Sequence, residues 1–209
     1  MQSVVTINKS NTNLMSAFYS FAPKKSHKLL RCWVDELKID VRISNPRKTK
    51  LGDFKVTGNR MSISINNNLN KYSFLITLTH ELAHAFVFKK YRNRVKPHAK
   101  SWKLTFRSLM INFLSPDYFP EDILKVLSLH MINPKASTST DLDLVKVLRK
   151  YDQVESLILS DLALGECFRT TSGRIFIKGE KIRKRYKCVE CKTNKIYLFY
   201  PFAEVIKTK

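Results

Sequence analysis

From Lys71 to Tyr91 the chain reads KYSFLITLTHELAHAFVFKKY, with no Gly or Pro and with apolar residues on nearly every side of a helical wheel. A helix of that kind has to be covered on all faces, so the rest of the chain must build a core around it. The polar stretch Asn66 to Asn70 just before it is rich in side chains that cap helix starts. Hydrophobic residues make up 44% of the 209, which is enough to cover such a helix and excludes a disordered tail or a coiled coil.

The helix contains His80-Glu81-Leu82-Ala83-His84, the pattern H-E-x-x-H. Residues four apart lie about 6 Å apart along a helix and on one face of it, so two imidazoles can close on one metal ion with bonds of about 2 Å. Random order at this composition gives the pattern in about one chain in two hundred. The motif therefore outweighs the plainer reading of two histidines satisfied inside a helical core. Glu81 follows the first ligand and is placed to take a proton from a water that a zinc ion has acidified.

A catalytic zinc takes three protein ligands and leaves one position open. An extended H-E-x-x-H-x-x-G-x-x-H motif fails, because Val87 and Lys90 stand at the glycine and the last histidine. No Glu occurs between Glu81 and Glu121. His98 remains, in VKPHAKSW, where Pro97 turns the chain out of the helix and lets His98 point back from the start of the next one. The alternative is an exposed histidine in a basic loop. His27 and His130 have no comparable context.

The net charge is +21, with a pI near 10.0. A balance of that sign favours a polyanionic partner, nucleic acid first and an anionic membrane second. No apolar run is long enough to span a bilayer, and the amino terminus lacks the continuous apolar segment of a secretory signal. With four unevenly spaced cysteines, this points to an intracellular, cytoplasmic protein. The charge falls as +16 over residues 1–115, −3 over 116–165 and +8 over 166–209. Those spans are the expected main domain, helical connector and small basic β-domain. Helices are expected at His27 to Ile39, Lys100 to Leu114, Glu121 to Met131 and Asp141 to Tyr151. Asp40 to Ser44 and Met61 to Asn66 alternate as strands, with turns at Gly52 and Gly58. Asn133 to Thr140 reads as an exposed loop. Short β-runs follow from Glu166, with turns at Gly173 and Gly179.

The segment from about Leu29 to Leu114, and above all GDFKVTGNRMSISIN, LITLTHELAH and RVKPHAKSW, resembles the SprT-like metalloproteases, the Spartan-related family, in its bacterial type. The resemblance implies an α+β, zincin-like domain with the H-E-x-x-H helix at its active site. It implies one zinc on His80, His84 and His98, Glu81 as general base, and a substrate polypeptide along the strand Met61 to Asn66. In the eukaryotic relatives the role is proteolysis of proteins crosslinked to DNA, and for the bacterial type the resemblance implies by inference the same crosslink repair on DNA-bound proteins; nucleoid association is the alternative setting to the open cytoplasm.

Many relatives continue into a zinc ribbon built on two Cys pairs. Here Cys188 and Cys191 are followed by no Cys or His, so a second zinc there is disfavoured and paired thiols are expected. Two basic clusters are candidates for phosphate contact: Lys89, Lys90, Arg92, Arg94, Lys96, Lys100 and Lys103 around the motif helix, and Lys181, Arg183 and Arg185 in a run from Lys178 to Lys187 read as one strand. The aromatics Phe176, Tyr186, Tyr197, Phe199, Tyr200 and Phe202 are read as core in preference to base-stacking platforms. Arg94 and Tyr91 are candidates to stabilise an oxyanion. The competing function is a DNA-binding module with a structural zinc, which has no use for a base beside its first ligand. A small-amide hydrolase unrelated to nucleic acid is a third. A monomer is expected.

Overall fold

A computed structural model describes residues 18, 20–47, 50–136, 141–153 and 157–208. Residues 1–17 and 137–140, the latter within the expected loop Asn133 to Thr140, lie outside them. The chain forms two compact units, Met1–Asp152 and Gln153–Lys209, in a mixed α+β architecture with two sheets.

In the first unit, α1 (His27–Leu37) buries Leu30, Trp33, Val34 and Leu37 along one stripe and stops at Lys38, whose φ of 49° is left-handed. Strands β1 (Asp40–Ser44), β2 (Gly52–Thr57) and β3 (Arg60–Asn66) form a sheet in the order β1-β3-β2. β1 runs parallel to β3, and β2 pairs with it antiparallel. Ile63 and Ile65 of β3 are buried, and alternation turns Ser62 and Ser64 to the other face. β2 is a strand that the pattern concealed, because Gly52 reads as a turn while only Gly58, at φ 59°, sits in one.

The buried helix is α2, with the expected bounds Lys71–Tyr91. The Asn70 side chain accepts from the backbone N–H of Tyr72 at 3.1 Å and of Ser73 at 2.9 Å, satisfying two donors the helix start leaves open. Its amide donates to the carbonyl of Leu148 at 2.9 Å. Phe74 to Thr79 are buried without a break, each large apolar side chain contributing about 1.5–3 kcal/mol through the area it removes from water. α3 (Lys100–Met110) packs beside α2 and buries Trp102, Phe106, Leu109 and Met110.

The stretch 116–165 does not stand apart as a connector. Ile123, Leu127 and Met131 of α4 (Glu121–Ile132) and Leu144, Val147 and Leu148 of α5 (Leu142–Arg149) belong to the first unit's core, while Leu159 and Leu162 join the second. The charge count followed the exposed faces of these helices, and packing follows their apolar ones.

The second unit is a five-stranded antiparallel sheet in the order β7-β6-β5-β4-β8, from β4 (Cys167–Arg169), β5 (Ile175–Ile182), β6 (Arg185–Glu190), β7 (Ile196–Phe199) and β8 (Ile206–Lys207). Phe168, Phe176 and Cys188 are buried on one face, with Tyr186, Tyr197 and Phe199 packed against them; Tyr200 is exposed, its ring under the Arg185 guanidinium. The basic run Lys178 to Lys187 is a hairpin, not one strand, because the chain reverses at Arg183, where φ is 53°. Its first lysine faces inward: Lys178 is buried and donates to the carbonyl of Leu162. Gly179 lies within β5, where a Cβ would stand 2.3 Å from the Lys187 carbonyl oxygen, and marks a bulge.

Candidate metal centre

α2 carries His80 and His84 on one face, and His98 reaches them from the turn before α3. Its φ of 59° is left-handed, a conformation that non-glycine residues adopt at a cost of about 1 kcal/mol or more. That backbone turns the imidazole back toward α2. The three Nε2 atoms form a triangle with sides of 3.0 Å (His84 to His98), 3.2 Å (His84 to His80) and 3.3 Å (His98 to His80).

Four ligands around a tetrahedral ion, at bonds of about 2.0–2.1 Å, stand about 3.3–3.4 Å from one another, close to this spacing. Burial and the other two rings pull His80 down to about 3, and burial and His98 pull His84 down to about 4. Burial also lowers His98. All three rings are therefore neutral at pH 7. Three neutral imidazoles cannot satisfy one another in a triangle of Nε2 atoms, since each Nε2 either carries a proton or accepts one and three cannot alternate, whereas a cation among them engages all three lone pairs. The donor set fits a metal ion of the kind imidazole suits, and no other group of three such donors occurs among the described residues.

Trp102, fully buried, walls the triangle. Its ring centroid lies 4.5 Å from that of His80, 5.3 Å from His84 and 4.7 Å from His98, and its Nε1–H donates to the His80 carbonyl at 3.4 Å. Sequence reading gave Trp102 no role, although it lies four residues beyond His98 at helical spacing. Glu81 is 7% exposed. Burial, reinforced by the Asp53 carboxylate, pushes its carboxyl up to about 7. Glu81, the three histidines and the β2 residues Gly52, Asp53 and Phe54 line one cleft of about 470 Å³, whose rim Ala136 reaches from the loop after α4.

β3 is the central strand, paired on both sides, so no further strand can join it at Met61 to Asn66. The free edge at the cleft belongs to β2. Neither Arg94 nor Tyr91 lines this cleft. His130 is buried elsewhere, with Nδ1 2.8 Å from Asp141 Oδ2, and His27 donates through Nε2 to the Ala22 carbonyl at 3.1 Å.

Cys188 is buried and Cys191 exposed, both as free thiols, and no group of three donors among the described residues includes them. Lys89, Lys90, Arg92, Arg94, Lys96 and Lys100 are exposed. Lys89 is paired with Glu36 at 3.3 Å, and the Arg92 guanidinium lies 5.3 Å from the centre of the Phe88 ring. Lys181 and Arg183 are exposed at the hairpin tip, and Arg185 is half-buried.

These features define an α+β protein with a three-histidine site, two of its rings on a buried helix and the third from the following turn, and a carboxylate beside it. Residues 24–122, which hold all four of these side chains, match the sequence profile of the SprT-like family. The family is metalloprotease-like in general character. No curated protein matches the chain in sequence. Among the described residues no helix is long and apolar enough to cross a membrane.

Proposed function

We propose that the chain is a zinc-dependent endopeptidase with His80, His84 and His98 as the metal's ligands and Glu81 as the general base. The observation that carries this reading is the Nε2 triangle with a buried carboxylate beside it. Bound zinc supplies Lewis acidity toward a scissile carbonyl and a water. The Glu81 carboxylate takes the water's proton and returns a proton to the leaving amine. An extended substrate chain lies along the free edge of β2, where the backbone offers hydrogen-bonding groups beside the cleft.

The substrates are proteins bound or crosslinked to DNA. Support comes from the net charge of +21 and from the exposed cations that run from the end of α2 past His98. Lys181, Arg183 and Arg185 form a second contact at the hairpin tip. DNA then holds its bound protein near the cleft, and contact is to phosphate, independent of base sequence.

The test compares wild type with Glu81→Gln on a DNA-binding protein, with and without single-stranded DNA. Cleavage only by wild type, and faster with DNA, is the expected result. Equal cleavage by both proteins rules out Glu81 as the base, and indifference to DNA rules out recruitment. DNA affinity should fall steeply with added salt; a flat response means that the charge serves another purpose.

A further inference from the structure

β2 approaches α2 so closely at Gly52 that a side chain has no room. A Cβ there would stand 2.8 Å from Glu81 Oε1, 2.8 Å from Thr77 Cγ2 and 2.9 Å from Glu81 Cγ, all inside van der Waals contact. The φ of Gly52 lies outside the left-handed region, so space and not conformation requires glycine. Thr77 and Glu81 are one helical turn apart on the same face of α2. Thr77 is buried and β-branched, which leaves it few ways to retreat. Two residues along β2, the Phe54 N–H faces the Glu81 carboxylate and favours its charged form, and the Phe54 ring packs on Phe88 of α2 at 6.0 Å.

We propose that Gly52 is a positioning residue for Glu81: its bare backbone lets β2 close onto α2, and the carboxylate is held between that backbone, Thr77 and the Phe54 N–H. A carboxylate on a three-bond stem otherwise samples several rotamers. Here one wall excludes most of them and one donor selects among the rest, so Glu81 is fixed before a substrate arrives. Any side chain at position 52 must push the carboxylate aside or lift β2 and withdraw the donor. The kinetic consequence rests on the peptidase reading, and the contact itself does not.

Two measurements on the full chain test the contact without activity. Phe54 amide exchange, followed by NMR, should be at least roughly tenfold faster in Glu81→Ala than in wild type, while the β2 amides paired with β3 keep their rates. An unchanged Phe54 rate overturns the proposal. Gly52→Ala should lower Tm, and the drop should shrink by roughly half or more when Glu81→Ala is already present; equal drops in the two backgrounds also overturn it. In turnover, Gly52→Ala should retain one metal per chain and a nearly unchanged KM, and lose roughly tenfold to a hundredfold in kcat; full kcat would sink the positioning role. Should wild type cleave no peptide, the peptidase reading fails, and exchange and Tm still decide the role of Gly52.

Discussion

His84 Nε2 and His98 Nε2 stand 3.0 Å apart across fourteen residues of chain. The left-handed backbone of His98, at φ 59°, closes that distance. Strain of this size persists where the surroundings over-determine it, and a shared metal ion is such a constraint.

Replacing His98 separates ligand from strain. Both His98→Ala and His98→Gly should lose the metal by elemental analysis, but glycine accepts the left-handed angle freely. Without metal, His98→Gly should exceed His98→Ala in stability by about 1 kcal/mol in urea unfolding. Equal midpoints would mean that the turn is not strained, and full metal content in either variant would remove His98 as a ligand.

Trp102 touches all three rings and anchors the His80 backbone, so it should govern metal affinity without binding metal. Trp102→Phe keeps an aromatic wall but loses the Nε1–H, and groups that orient ligands typically account for about 10–100-fold in affinity. Competition with a chromophoric chelator should show a loss in that range with the fold intact. Trp102→Ala should cost about 3–5 kcal/mol of stability through the cavity it opens. Unchanged affinity in the Phe variant would reduce Trp102 to core filling.

Acid should destabilise the metal-stripped first unit. His80 and His84, held down to about 3 and about 4, bind fewer protons folded than unfolded. Stability is therefore full above an ordinary histidine pKa of about 6.5 and falls as pH drops from there toward 3–4. Glu81, raised to about 7, acts in the opposite sense between about 4.5 and 7 but is one group against two. Urea midpoints at pH 7.5 and pH 5 should differ with the lower at pH 5, and the gap should shrink in His80→Ala. A midpoint that rises on acidification would reverse this assignment.

The second unit has its own acid limit in the pair of Arg174 Nε and Glu190 Oε1, 2.6 Å apart, with Glu190 6% exposed. The Arg174 guanidinium, helped by the Thr193 hydroxyl, holds the Glu190 carboxyl down to about 2. A depressed acid stabilises above its unfolded pKa of about 4.5, and that contribution is lost as pH falls toward 2. Amide exchange in β5 should accelerate over that window in wild type and lose this dependence in Glu190→Gln. The same acceleration in both would place the acid sensitivity elsewhere.

What the sequence determined by itself is local. The continuous apolar run set the bounds of α2, Asn70 set its start, and the period of four put His80 and His84 on one face, because a helix makes neighbours of residues close in sequence. His98 was reached by elimination of other donors. The tertiary structure alone decided which strand is the free edge, because Gly52 reads as a turn until Glu81 and Thr77 are seen to need its missing side chain. Packing alone gave α4 and α5 to the first unit, folded the basic run into a hairpin, and brought Trp102 against three rings. Each of these rests on contacts between residues far apart in the chain, which no local periodicity encodes.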